Sequence, residues 1–209
     1  SVHVEGIRHV SSLDIAFAEE LGYRIKLLGL ANERPDGIEL RVHPCMVPTG
    51  AAIAAVEGVF NAVVAQGDFV DQVMMVGRGA GAGPTASAVV ADLIDIVRGD
   101  PAPALGAPAA SLRRLPVVPM DRRHGAYYLR LMVVDQPGVI ADIAAAMRDG
   151  DISLESLLQH GRSPSEAVPV VITTHETDES AMRQVLAKIG RIEAVLEPPR
   201  LIRIEPLIH

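Results

Sequence analysis

The last stretch of the chain reads as one fixed succession of elements. Tyr127 to Val134 sets Leu129, Leu131 and Val133 on one face at a period of two, the mark of a strand. After Asp135-Gln136-Pro137-Gly138, the residues Val139, Ile140, Ile143, Ala144 and Met147 recur at helical spacing. Gly150-Asp151 ends that helix, and Ile152 to Gln159 resumes as a strand. Gly161 to Glu166 has loop chemistry, and Val168 to Thr173 is a further strand. Met182, Val185, Leu186 and Ile189 mark a second helix, and a last strand turns Ile202 and Ile204 inward. The order β-α-β-β-α-β over residues 125–209 is the ferredoxin-like arrangement.

Upstream of it, Asp100-Pro101-Ala102-Pro103-Ala104-Leu105-Gly106-Ala107-Pro108 is the sharpest compositional break, with Pro116 and Pro119 beyond it. Proline fixes φ and disfavours helix just before it, so residues 100–124 read as a semi-rigid surface linker. The other reading is a long loop inside one domain. Residues 1–99 then form a first unit of mixed periodicity. Ser12 stands before the helical stretch Leu13 to Leu21, and Gly22 follows it. Tyr23 to Ala31 is a strand with Arg24 and Lys26 alternating outward. Asn32 to Gly37 is turn chemistry, and Ile38-Glu39-Leu40-Arg41-Val42 alternates strictly, which completes a hairpin. A second hairpin runs from Val59 to Val76 through Gly67-Asp68, and a helix follows from Pro84 to Arg98. The predicted fold class is α+β. An antiparallel or mixed sheet with helices occupies residues 1–99, and the ferredoxin-like unit follows.

Composition narrows the function classes. A chain of 209 residues with 49% apolar and 22% charged residues can bury a core. With 3% aromatics and no Trp, that core is aliphatic and offers little to stack on bases, and a net charge of −7 opposes a phosphate backbone. A nucleic-acid partner is therefore not expected. Nor is a membrane one, since Gly, Pro or charge interrupts every apolar run before the roughly 18 residues a bilayer needs. The single cysteine, Cys45, excludes an internal disulfide and a Cys-based zinc set. It fits a reducing cytosol, so a cytoplasmic location is expected.

Two turns stand out as places where a backbone can meet a ligand. In Gly77-Arg78-Gly79-Ala80-Gly81-Ala82-Gly83-Pro84-Thr85, the residues Gly77, Gly79 and Ala82 fit the relaxed G-x-G-x-x-G/A dinucleotide spacing. Glycine lets backbone amides approach an anion, and a helix N-terminus favours negative charge. The second parallel strand and acidic ribose-binding residue of that motif are missing, and no Gly-Lys-Ser/Thr makes it a P-loop. The stretch reads either as a cofactor contact or as a turn that lets a small-residue helix (Ala86, Ala88, Ala91) pack closely. Asp135-Gln136-Pro137-Gly138 exposes first-turn helix amides able to receive a small carboxylate, or is an ordinary capped turn.

No self-contained catalytic set emerges. The seven histidines are scattered without an i, i+4 pair on a helix, so no metal is expected. Cys45, between Pro44 and Met46, is read as having no histidine partner and as a small core residue rather than a nucleophile. Asp92 and Asp95 share a helix, as paired carboxylates or as a solvated face. Ser87 lacks a G-x-S-x-G elbow.

Longer blocks carry a resemblance. Val4-Glu5-Gly6-Ile7, Asp14 through Leu28, Arg41-Val42-His43-Pro44, Val59 to Val63 and Gly77 to Leu93 together resemble bacterial homoserine dehydrogenase. Residues 125–209, with Asp135-Gln136-Pro137-Gly138, resemble the ACT domain often appended to that enzyme. The resemblance implies an oxidoreductase that interconverts L-aspartate 4-semialdehyde and L-homoserine with NAD or NADP, on the route to threonine and methionine. It puts Gly81 and Thr85 beside the cofactor, with Gly79 supporting the turn. It puts an amino-acid effector, threonine by pathway logic, at Asp135, Gly138, Val139 and Ile140. A homodimer is expected from the family, with a homotetramer open.

In that family a nucleotide-binding domain comes first, and the Lys and Asp that handle substrate and proton transfer precede the Val4-Glu5-Gly6 block. The chain is thus expected to be the C-terminal part of a longer protein. Catalytic residues are not assigned within it, and alone it is expected to lack dehydrogenase activity. The rival reading is a stand-alone amino-acid-binding regulatory module without catalysis. The block from Gly77 to Leu93 argues against that rival, because a pure sensor has no use for it.

Overall fold

The computed structural model describes residues 2–99, 106–161 and 167–207. In chain order these residues form β1 (His3–Val4), α1 (Ser12–Glu20), β2 (Tyr23–Arg34), β3 (Gly37–Pro48), β4 (Phe60–Gly67), β5 (Asp71–Arg78) and α2 (Ala82–Arg98). They continue as β6 (His124–Gly125), β7 (Tyr127–Val134), α3 (Val139–Asp149), β8 (Leu154–Gln159), β9 (Ala167–Thr174), β10 (Thr177–Asp178), α4 (Glu179–Ile189) and β11 (Arg200–Ile204).

Local chemistry accounts for most boundaries. α1 is capped by Ser11, one residue earlier than expected. The Ser11 hydroxyl accepts from the Asp14 amide at 3.2 Å while the Ser11 amide donates to the Asp14 carboxylate at 2.8 Å, a reciprocal capping box. The first hairpin turns more tightly than the six-residue stretch predicted, because Arg34 pairs with Gly37 and only Pro35-Asp36 lie between. Gly37 is required there. A Cβ on it would sit 2.2 Å from the Pro116 carbonyl oxygen.

Ser1–Thr49 and Pro116–His209 fold as one unit, and Gly50–Leu115 as another. These bounds differ from the expected succession of 1–99, linker and 125–209, and the reason is a long-range strand pairing. β11 adds in parallel to β3, with Arg203 opposite Cys45 and Ile204 opposite Met46. The same edge of β3 also takes β1, with His3 opposite Arg41, and an isolated bridge from Val117 to Ile38. Three short segments thus tile one edge of a twelve-residue strand while β2 covers the other. Part of the expected linker is therefore docked on the sheet, and residues 100–105 lie outside the described residues.

In this first unit the result is a seven-stranded sheet. Its β11-β7-β9-β8 portion is antiparallel, as the ferredoxin-like order requires. On one face, Leu129, Leu131 and Val133 of β7 pack with Ile143 and Met147 of α3 and Met182, Val185 and Ile189 of α4. On the other face, Tyr128, Val171, Ile202 and Ile204 pack with Met46 and with Phe17 and Ala18 of α1. The ferredoxin-like sheet is thus sandwiched between its own helices and a helix from the start of the chain.

The alternation read in β3 is real, but its buried side is the polar one. Glu39, Arg41 and His43 are buried, whereas Ile38, Leu40 and Val42 are half-buried. The second unit holds the β4–β5 hairpin, with Phe60 opposite Arg78 and Gly67 opposite Asp71, followed by α2. None of the α2 residues is buried, so the close packing of Ala86, Ala88 and Ala91 is not realised among the described residues.

Candidate functional site

The glycine turn sits between β5 and α2. Gly81 is the N-cap of α2 with φ +115°, a conformation side chains resist, and no side chain caps this helix end. Gly79 lies against Asn61 of β4, since a Cβ on it would meet the Asn61 Nδ2 at 2.1 Å. Cβ atoms on Gly77 or Gly83 would meet nothing within 4 Å, so the backbone is open to a ligand on those sides. The Thr85 amide is already spent on the Gly81 carbonyl at 3.2 Å, which leaves its hydroxyl for a ligand. The three predicted cofactor residues, Gly79, Gly81 and Thr85, thus share one turn. The turn leaves backbone exposed at the start of a helix that no side chain caps.

The second turn joins β7 to α3. Gly138 caps α3 with φ +99° and again no side chain satisfies the helix end. Gln136, Pro137 and Gly138 are exposed. Asp135 accepts a long hydrogen bond, 3.4 Å, from Gln159 at the end of β8. The Val139 side chain is buried in the core and the half-buried Ile140 packs against it, so these two offer the turn their backbone and not their side chains. Asp135 and the Gly138 backbone are the accessible part of the predicted effector set.

A third constellation escaped the sequence reading. Arg203 donates to Glu179 at 2.9 Å and pairs with Glu5, and the Tyr127 hydroxyl donates to Glu179 at 3.0 Å. Beside them, Arg41 and Arg123 converge on Glu205 Oε1 at 3.1 and 3.0 Å. Burial pushes the Glu179 carboxyl up, but hydrogen bonding and charge from Arg203 outweigh it and hold the group below its usual range. A separate buried pair, Arg130 to Asp14 at 2.6 Å, ties β7 to α1. The one available signal was an arginine inside a short apolar strand, Leu201-Ile202-Arg203-Ile204.

The reading of Cys45 as lacking a histidine partner is corrected here. Its Sγ lies 3.2 Å from His43 Nδ1, because both side chains project from the buried face of β3. With Glu205 they place three donor atoms within 4.8 Å. The chemistry does not suit a cation. Burial pushes the thiol to about 12, and the Glu205 carboxylate already serves two guanidinium groups. Cys45 is a protonated core residue.

Two families match the chain, one after the other. A homoserine dehydrogenase family model matches residues 1–94, and an ACT domain model matches residues 127–194. The chain carries a homoserine dehydrogenase segment followed by an ACT domain. It is 43% identical to a homoserine dehydrogenase of Neisseria gonorrhoeae, over 98% of this chain and 48% of that protein. It is 41% identical to one of Helicobacter pylori, over 97% and 48%. The crystal structure of a homoserine dehydrogenase from Thiobacillus denitrificans superposes with a TM-score of 0.85 at 42% identity, covering 99% of this chain and 48% of that one. The chain therefore spans about half the length of the homoserine dehydrogenases it matches. Among the described residues, no helix is long and apolar enough to cross a membrane.

Proposed function

We propose that this chain works within a homoserine dehydrogenase that interconverts L-aspartate 4-semialdehyde and L-homoserine. Its glycine turn would touch NAD or NADP, and its ACT domain would answer to an amino acid. The observation that carries the reading is the pairing, on one chain, of an open glycine turn at an uncapped helix with a complete ferredoxin-like unit. The bound nicotinamide supplies hydride transfer. In this chain, Gly81 and the Thr85 hydroxyl contact the cofactor, and Gly79 keeps the turn against Asn61. Residues 1–99 close the catalytic and dimerisation domain, and residues 125–209 are regulatory, in a cytoplasmic homodimer.

Threonine fits the second turn chemically. Its carboxylate suits the uncapped amides at Gly138, and the Asp135 carboxylate, at the start of the same turn, would accept from its ammonium group. The test has two arms in the enzyme that contains this chain. Calorimetry is expected to detect threonine binding that Asp135→Ala weakens at least tenfold, and Thr85→Val is expected to raise the cofactor KM more than it lowers kcat. No threonine binding, together with no effect of threonine on turnover, overturns the regulatory part. An unchanged cofactor KM overturns the assignment of Thr85.

A further inference from the structure

We propose that a small pocket between β1, β3 and the segment 118–123 is a binding site for one halide-sized monovalent anion. The pocket measures about 20 Å³ and is lined by His3, Glu39, Arg41 and Arg123 together with Val118 and Met120. That is room enough for a water-sized occupant, and so for a small monatomic ion.

The polar accounting around it is unbalanced in one direction. Among the described residues, four buried side-chain polar atoms have no hydrogen-bond partner, and three of them belong to residues that line this pocket. They are His3 Nε2, Arg41 Nε and Arg123 Nη1. The side chains of Arg41 and Arg123 are only 5% and 3% exposed, and a guanidinium can only donate. Buried donors of this kind are rarely left unmatched, so the site calls for an acceptor.

The lining does not supply one. Both Glu39 oxygens are already engaged, Oε1 by Arg34 at 3.2 Å and Oε2 by Arg34 at 3.4 Å and Arg41 at 3.3 Å. Glu205 is spent on Arg41 and Arg123. His3 Nε2 stands 3.5 Å from Glu5, which Arg203 already holds. The connected chain Arg34, Glu39, Arg41, Glu205, Arg123 alternates three guanidinium groups with two carboxylates; Arg34 lies half-exposed at its end, and the buried members are two of each sign. A water molecule brings two protons that need acceptors of their own. A monatomic anion needs none. Chloride is the probe that matches in size and charge.

The site joins three distant parts of the chain, so occupancy reports as stability. Thermal midpoints measured in sodium chloride and in sodium gluconate at equal ionic strength test it. Chloride is expected to raise the midpoint by about 3–6 °C, saturably, because gluconate is too large to enter. Arg123→Lys keeps the charge but loses Nη1, and is expected to abolish the difference. If that variant does not fold, crystals of the unaltered protein soaked in bromide decide alone. An anomalous peak bounded by His3, Arg41 and Arg123 supports the site. Equal midpoints in the two salts, or a pocket holding water and no bromide, overturns it.

Discussion

Arg203 donates from Nε to the Glu179 carboxylate at 2.9 Å, with both side chains buried, so the last strand is tied to α4 by an ion pair out of water. Breaking one side strands the other charge in the interior. Arg203→Met is expected to destabilise the protein by about 3–5 kcal/mol, read as a lower urea midpoint. The double variant Arg203→Met with Glu179→Met is expected to recover part of that loss, because neither charge is then left alone.

Stability is expected to fall on acidification in two stages. Burial holds His43 neutral and depresses it from 6.5 to about 4. The unfolded chain takes up that proton first, so stability drops as pH falls from about 6.5 to 4, by about 3 kcal/mol. The Asp14 carboxyl is raised by burial but lowered further by hydrogen bonds from Arg130 and Ser11, ending below its ordinary 3.8. Its contribution is present above that value and is lost as pH falls beneath it, and Glu179 behaves alike below 4.5. Denaturant titrations across pH 7 to 3 check both stages. His43→Gln is expected to flatten the first and leave the second.

Gly150, at the end of α3, has no room for a side chain. An added Cβ would lie 2.1 Å from Val185 Cγ2 of α4. Gly150→Ala is therefore expected to force the two helices apart at a cost of about 1–3 kcal/mol. Combined with Val185→Ala, the loss is expected to be less than the two single losses together, as measured by a double-mutant cycle in urea.

At the glycine turn, Gly79→Ala displaces the Asn61 amide, whose Nδ2 would be 2.1 Å from the new Cβ. In a homoserine dehydrogenase containing this chain, the expected result is about tenfold weaker cofactor binding, roughly 1.4 kcal/mol. Adding Asn61→Ala is expected to restore most of it. Fluorescence titration with NADPH and NADH checks both variants.

Much of this was legible because it is local. A turn within Asn32 to Gly37, the start of α1 to within one residue and the 3.6-residue recurrence of Met182, Val185 and Ile189 each depend on a few neighbouring residues. So does the alternation in β7. The parallel addition of β11 to β3 is not local, and no periodicity encodes which strand an edge will meet. For the same reason the alternation in β3 did not reveal which side is buried. An alternating strand ordinarily hides its apolar side, but Glu39 and Arg41 find Arg34, Glu205 and each other, so the polar side goes inward. The two candidate turns were visible as glycine patterns. Which of their residues face outward was not, and Val139 proved to belong to the core.

The tiling of β3 also sets an order of events as the chain is made. Arg41 and Glu205 are 164 residues apart, so at about 5–20 residues per second the open edge of β3 waits on the order of 10–30 s for β11. A long strand with a free edge invites pairing with a neighbouring nascent chain. Only the pairs that Glu39 makes with Arg34 and Arg41, and the short β1, are then available to that stretch, and the arrival of β11 with Glu205 closes the rest of the edge.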